Sequence, residues 1–450
     1  MHHPLLYHLP WISRRGEGAF GEIRRSKGAP KPVVAAKGEG REPISRDRSS
    51  QGNRPVLFDP NLNIVFGVTL ISVLGVASVA PAFPEIIRAL GVHQEDVAWL
   101  VSAFTIPGLL FTPVTGFLSD RYGRRKILVP CLFLFGVAGG ACFLARDFRT
   151  LLFLRFLQGV GSAPLNALNV ALIGDFFKGN DRSAAMGYNT SVIGVGTAIY
   201  PALGGLLAMA GWNYPFLLAL VALPVGFWAY LGLNEGDRFP PGGPAAGGAS
   251  RPLLRGLARK GVPVLLFASM MTFVIQYGGF LTFLPFYLES GYGATPLTIG
   301  LVSAAMSISS AVTSSRAGWF SARFSSRSLM AIAFMLYGSA LLFILHAPGC
   351  SGMIVPAMLF GIGHGINIPN LLTTLTNNTP EDNRAMVMSL NSMSLRLGQT
   401  LGPPLFGMVF ASWGIEAVFT TGSVMAGAMA VVIFGTLGKI GETSDVTRDS

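Results

Sequence analysis

Three groups of polar residues stand in an otherwise apolar chain, and their types limit the chemistry available to it. The first is a thirteen-residue stretch, Gly116 to Leu128, in which Asp120, Arg121, Arg124, Arg125 and Lys126 lie between two apolar runs. Bases in so short a turn hold it on the cytoplasmic side of a membrane, and Gly116 and Gly123 permit a tight reversal. The second group is Arg155 with Gln158 and Gly159, and the third is His364 and Arg396, deep in apolar segments. Ionisable residues inside a span usually mark a substrate or proton path, and histidine is the side chain whose ordinary pKa lies nearest neutral. No nucleophile–base set, nucleotide loop or metal cluster accompanies them, so the chemistry expected is gating and binding rather than catalysis, with no metal or other cofactor. His2 and His3 are too few to bind metal, and the Asn189-Thr-Ser191 glycosylation match falls inside a span.

The surroundings point the same way. The chain is 51% hydrophobic and 12% charged with a mean hydropathy of +0.52, about half the charged fraction of a soluble protein. Windows of about 20 residues place spans at 62–83, 97–118, 127–145, 151–175, 184–209 and 213–233. Six more follow at 263–288, 296–315, 329–346, 353–375, 386–411 and 416–438. Twelve spans put both termini on one side. With that side cytoplasmic, all but five of the Lys and Arg residues fall there: Arg88, Arg146 and Arg149 lie outside, and Arg155 and Arg396 lie in spans. The positive-inside rule therefore sets the orientation. The net charge of +11 does not signal nucleic acid, because the bases sit in the tail and short loops. Cys131, Cys142 and Cys350 have no metal or redox spacing and read as apolar packing residues.

The expected organisation is a basic, disordered tail (1–60), a six-helix half (61–233), a flexible Pro/Gly-rich linker (234–260), a second six-helix half (261–438) and a short cytoplasmic tail (439–450). The second half repeats the first: Gly116, Arg121 and Arg125 return as Gly318, Arg323 and Arg327, and Gly159 and Gly161 as Gly361 and Gly363. Arg182, Met186, Asn189, Gly196, Pro201 and Gly205 return as Arg384, Met388, Asn391, Gly398, Pro403 and Gly407. Such a register is the mark of a duplicated six-span unit. Ala322 stands where the first half has Asp120, so only one half keeps the acid.

Gly116, Leu118, Asp120, Arg121, Gly123, Arg124 and Arg125 match, nearly position for position, the loop signature G-x-L-x-D-R-x-G-R-R/K. On this stretch the chain resembles the major facilitator superfamily of secondary transporters. Arg155-x-x-Gln158-Gly159-x-Gly161 resembles a second pattern of that superfamily. Pro81-Ala-Phe-Pro84-Glu85 at the end of the first span is similar to its twelve-span drug:proton antiporter branch, although two prolines there also simply end a helix. Gly196, Tyr200, Pro201, Gly204 and Gly205 are similar to the antiporter signature G-x-x-x-G-P-x-x-G-G, with Tyr200 in place of a Gly; Gly398, Gly402 and Pro403 restore the Gly-Pro pair in span 11. Small residues four apart let helices approach closely whatever else they do. The P-E-S-P-R signature of sugar porters is absent at the junction.

The resemblance implies an all-α membrane protein of twelve transmembrane helices in two pseudo-symmetric halves, the major facilitator fold, in the cell (inner) membrane. It implies a cytoplasmic gate of Gly116, Asp120, Arg121, Gly123, Arg124, Arg125 and Asp175, in which Asp120 also meets the start of span 11. Asp175 closes span 4 where the helix dipole disfavours a carboxylate, so it needs a cation, and Arg124 is the candidate. Arg155, Gln158 and Gly159 are candidates for coupling, with snorkelling to the outer surface as the plainer reading of Arg155. By the same resemblance spans 1, 4, 7 and 10 line a midplane cavity, which nominates Asn166, Asn169, Gln276, Tyr277, His364, Asn367 and Asn370, with Arg396 on span 11. Interhelical hydrogen bonding is the plainer reading of the amides, and packing that of His364. Expected partners are a small-molecule substrate and the bilayer, not nucleic acid, with the chain acting as a monomer.

Three functions remain open at this point. One is proton-driven efflux of drug-like compounds. Another is transport of an organic anion or metabolite through Arg396. A non-transporting membrane sensor is the third. Many drug antiporters of this branch use an acid in span 1, whereas here span 1 has none short of Glu85 at its outer end.

Overall fold

A computed structural model describes residues 56–233 and 261–445, with the side chains of Asp120, Glu381, Asp382, Ala385 and 437–445 outside the description. The expected basic tail, the linker with its bases and the last residues therefore lie largely outside the described residues. Eleven apolar helical runs are long enough to cross a membrane. We label them α1 (Pro60–Leu90), α2 (Gln94–Ser119), α3 (Arg124–Leu144), α4 (Phe148–Phe176), α5 (Gly179–Ala208), α6 (Tyr214–Gly232), α7 (Val262–Tyr292), α8 (Pro296–Ser314), α9 (Ser326–Ile344), α10 (Gly349–Asn377) and a final run, Met386–Thr436. That last run of 51 residues is two helices, α11 (386–413) and α12 (415–436), because Gly414 interrupts it at φ 80°, ψ −176°. A left-handed φ is cheap only for glycine. The twelve spans of the sequence are thus all present, and no strand occurs among the described residues.

Several spans depart from uninterrupted α-helix, α1, α4 and α7 among them. The prolines near the end of α1 do not stop it: a helix over Pro60–Ala77 passes through a 3₁₀ turn at Ala80–Ala82 into a second helix, Phe83–Leu90, which ends at Gly91. Pro81 and Pro84 sit at the first positions of their segments, where a missing N–H costs nothing. In α4 the helix breaks at Ala163–Pro164, near its middle. Asp147 caps α4 by accepting from the Thr150 N–H (2.9 Å) and hydroxyl (2.7 Å), and these bonds hold its carboxyl below the usual range. In α7 a π-helical stretch over Val274–Thr282 carries Gln276 and Tyr277.

Buried apolar residues form one large cluster in each half, and the first extends into the second half through Phe283, Phe286 and Phe406. Many large apolar residues point outward, among them Val137, Phe153, Leu231 and Val431. So much exposed apolar surface suits lipid, not water. The end of the bundle carrying Gly123 is called the basic face below. The ends of α1 and α7 near Arg88 and Glu289 form the opposite face.

Candidate functional site

At the basic face the signature stretch is not an open loop. Its first helix runs to Tyr122 and the next begins at Arg124, so that Gly123 alone, at φ 97°, makes the reversal. Arg124 Nε lies 2.7 Å from Asp175 Oδ2, which supplies the cation expected at that helix end. Arg125 donates to the carbonyl of Leu233 (3.1 Å) and covers the Tyr230 ring, clasping α3 to the end of α6. Arg121 lies over the neighbouring Tyr122 ring. A Cβ on Gly116 would meet nothing, so no close contact explains that glycine in this conformation. The expected contact of Asp120 with the start of α11 falls on a side chain outside the description.

Arg155 does not snorkel. It is 0% exposed, its Nη1 donates to Gly75 O (3.1 Å) and Gln158 Oε1 (2.8 Å), and its guanidinium lies 4.5 Å from the Phe104 ring centre. Gly75 O is free for this because the Val79 amide turns to Val76 O at the end of the helix. Among the described residues no carboxylate lies within ion-pair distance of Arg155. Gly159 packs against the Phe104 carbonyl of α2 and Gly161 against the α3 backbone at Cys131 and Phe135. Their repeats, Gly361 and Gly363, pack in the same way on α8 at Met306 and on α9 at Ala333.

The glycine motifs of α5 and α11 pack both within their own halves and, through Gly205 and Gly407, across the joint between the halves. Gly196 faces Leu70 and Val73 of α1, and Gly204 touches the Ser78 carbonyl. Gly205 lies on the Pro296 carbonyl of α8, while Gly300 of α8 lies on the Pro201 carbonyl of α5, so the two backbones touch reciprocally. On the other side Gly398 and Gly402 pack on α7 at Met270 and Val274. Pro403 is buried beside Gly402 in the same helix, and Gly407 reaches Glu95 and Ala98 at the start of α2. Ser102 donates to Thr400 O (2.9 Å), and Thr400 Oγ1 to Thr105 Oγ1 (3.1 Å), extending the α2–α11 seam inward.

Arg396 crosses that seam. Its Nη2 donates to Ala163 O (3.1 Å), the carbonyl at the break of α4, which also accepts from Thr112 Oγ1 (2.9 Å). A Cβ on Gly108 would overlap its Nη1, so the guanidinium lies directly on the α2 backbone. Tyr277 is within electrostatic reach of it. His364 packs edge-on to Phe273, with Nδ1 3.4 Å from the Tyr337 hydroxyl. Gln276 has its Oε1 buried without a hydrogen-bond partner.

Three of the four nominated asparagines lie between helices rather than on an open wall. Asn169 Nδ2 donates to Thr69 Oγ1 and to Asn189 Oδ1 (3.3 Å), and Thr69 bonds Asn189 in turn, tying α1, α4 and α5 together. In the second half Asn367 donates to Thr272 Oγ1 (2.8 Å), Ser269 donates to Asn391 Oδ1 (2.6 Å), and Asn370 donates to Ser326 O (2.8 Å). Asn166, unlike its neighbour at i+3, is exposed. Sequence reasoning missed Thr69, Ser269 and Thr272 as partners, although the recurrence of Asn189 as Asn391 was a usable signal. It also missed Glu289, whose carboxylate lies 3.2 Å from Arg88 across the opposite face, where Arg88 also meets Glu85 at 2.8 Å. No cluster of three metal-binding side chains occurs among the described residues.

Similarity to known proteins covers most of the chain. The profile of the Major Facilitator Superfamily matches residues 65–295 and 287–445. The bacillibactin exporter of Bacillus subtilis (strain 168) is 33% identical over 163 residues, 35% of this chain and 40% of that protein. Multidrug resistance protein 1 of the same organism is 24% identical over 353 residues, 78% of this chain and 89% of that one. Among solved structures, the D-xylose–proton symporter has a TM-score of 0.69 at 15% identity, covering 85% of this chain and 98% of its own. A bacterial homologue of the human lysosomal transporter Spinster, inward-facing and unoccupied, has a TM-score of 0.67 at 18% identity over 85% of this chain and 95% of its own.

Proposed function

The chain belongs to the Major Facilitator Superfamily, and on that premise we propose that this transporter exports small drug-like compounds from the cell against an inward flow of protons. The observation that carries the reading is the joint. Spans α5 and α8 meet backbone to backbone, α2 and α11 meet through Gly407 and the hydroxyls of Ser102, Thr105 and Thr400, and Arg88 and Glu289 pair across the opposite face. Two rigid halves joined along such a seam can rock, exposing a midplane site to each side in turn. The rest of the proposal places the protein in the inner membrane as a monomer, with the basic face and both termini in the cytoplasm. The closed face is then external.

In this cycle Asp120, Arg121, Arg124, Arg125 and Asp175 gate the cytoplasmic side, with Gly116 and Gly123 at the reversal. Arg155, Gln158 and Gly159 couple the bend of α1 to α2 and α4. His364 stands in the cavity wall, packed against Phe273 and Tyr337. Tyr277, Gln276 and Asn166 meet the cargo, with Arg396 in the cavity wall but not needed for a cationic one, while the buried amides Asn169, Asn367 and Asn370 hold the walls in place. Support for the drug class comes from relatives that match over most of their length and are named multidrug resistance proteins. A second reading, transport of an organic anion, is favoured by one feature: Arg396 has a backbone carbonyl and no carboxylate as its partner among the described residues.

The experiment is proton movement in proteoliposomes with an internal pH dye, screening lipophilic cations and organic anions against wild type and Arg396→Ala. Proton release driven by cations, and intact in the variant, is the expected outcome. A response to anions alone, lost in the variant, selects the second reading.

A further inference from the structure

Arg125 and Arg327 occupy equivalent places in the two halves, the first turns of α3 and α9 at the basic face, but their surroundings differ. Arg125 rests on the Tyr230 ring and donates to Leu233 O, a carbonyl left free because α6 stops at Gly232. Arg327 rests in the same way on an aromatic ring of the last helix of its half, 3.8 Å from the centre of Phe434. Here, however, the helix runs on to Asp445, so the carbonyls beyond Phe434 stay within helical structure. Arg327 Nε is buried without a hydrogen-bond partner, and no carboxylate lies within ion-pair distance of the guanidinium among the described residues.

Beside this guanidinium opens an apolar groove between α9 and α12 of about 370 Å³, lined by Ala331, Met335, Ala430, Val431, Phe434 and Gly435. Ala331 and Met335 lie one and two turns along α9 from Arg327, so the groove runs from the arginine toward the bilayer centre. The depth of its mouth is marked independently by Trp319, half exposed under the Arg323 guanidinium at 4.1 Å. Tryptophan paired with arginine in this way belongs at the membrane–water boundary. A cation at the boundary above a greasy slot has the form of a lipid's two ends.

We propose that the α9–α12 groove is a binding site for an anionic phospholipid, with an acyl chain along Ala331 and Met335 and the headgroup phosphate on Arg327. Apolar contact alone does not select a lipid, because the chain leaves one hydrocarbon environment for another. Selectivity must come from the headgroup, and a single arginine at this level is worth about fivefold in affinity.

Native mass spectrometry of the full-length, delipidated protein tests this by titration with phosphatidylglycerol, phosphatidylethanolamine and phosphatidylcholine of identical acyl chains. One molecule of phosphatidylglycerol should bind in preference to the other two. Arg327→Gln should weaken phosphatidylglycerol by about fivefold and the zwitterionic phosphatidylcholine by less, so that the preference between them shrinks. Gly435→Leu should weaken all three lipids; a Cβ there meets no atom within 4 Å, so the side chain enters the groove without disturbing the fold. Unchanged lipid preference in Arg327→Gln, or competition by inorganic phosphate as effective as that by the lipid, would overturn the assignment.

Discussion

Arg155 is a costly residue, a guanidinium fully enclosed with a carbonyl, an amide and an aromatic face for company and no carboxylate among the described residues. A buried charge held this way is poor value for stability, since apolar replacements of similar volume are often neutral or better. Its retention is therefore best explained by what it positions: the free carbonyl of Gly75 just before the bend in α1. Arg155→Met should fold with a thermal midpoint near that of wild type and lose at least about tenfold in turnover, roughly 1.4 kcal/mol in the rate-limiting barrier. Wild-type export by that variant would reduce Arg155 to a packing residue. The distribution of polar partners also shows what one sequence can reveal at this scale. Arg124 was found as the partner of Asp175 because the helix dipole demands a cation at that position, and the ion pair is present at 2.7 Å. The bonds joining Thr69, Asn169 and Asn189 were not found, because a lone Thr or Asn in an apolar span carries no mark of which helix it faces, and these partners are 20 to 120 residues apart.

Among elements, the positions of the spans were legible and their irregularities were not. Hydropathy averages over about 20 residues, so it places a helix and passes over a break within it. The turn at Ala80–Ala82, the break at Ala163–Pro164 and the π stretch at Val274–Thr282 each lie inside a window that reads as uniformly apolar. The break at Gly414 falls in the gap that hydropathy leaves between the spans 386–411 and 416–438. The glycine motifs were legible as packing elements but not in their partners: the motif of α5 serves α1 with one face and α8, in the other half, with another. That second contact gives a test. A Cβ on Gly205 would overlap the Pro296 carbonyl, so Gly205→Leu overpacks the seam at a cost of about 1–3 kcal/mol. The cost applies while the opposite face is closed and is relieved when it opens. Spin-label distances across that face should lengthen in Gly205→Leu. They should stay unchanged in Gly427→Leu, whose new side chain meets open space. Equal distances in both variants would show that the seam is not what sets the resting conformation.

For the molecule as a whole, the duplicated register predicted two halves, and the two apolar cores lie largely one in each. What the repeat could not predict is which face is closed, since a symmetric sequence is compatible with either. The Gly205 and Gly407 seams recur in both halves, whereas the pairing of Arg88 with Glu289 across that face has no counterpart in the repeat. The pair is partly exposed, with side chains 59% and 27% accessible. Its worth is thus at the low end for ion pairs, about 0–1 kcal/mol. A contribution that small cannot hold a fold together, but it is enough to shift a balance between two conformations up to about fivefold, because the halves are otherwise free to rock. Glu289→Gln should therefore leave expression and thermal stability unchanged while raising the population open at that face. The shift should shrink as ionic strength rises from 0.1 M to 1 M, because the screening length falls from about 10 Å to about 3 Å and the pair weakens in wild type as well. Charge reversal provides the decisive arm: Arg88→Glu should open the face further, by placing an acid against Glu289 and Glu85, and Glu289→Arg combined with it should close the face again. If the double variant stays as open as Arg88→Glu, the pair is an accident of the closed state and the glycine seams alone determine the resting conformation.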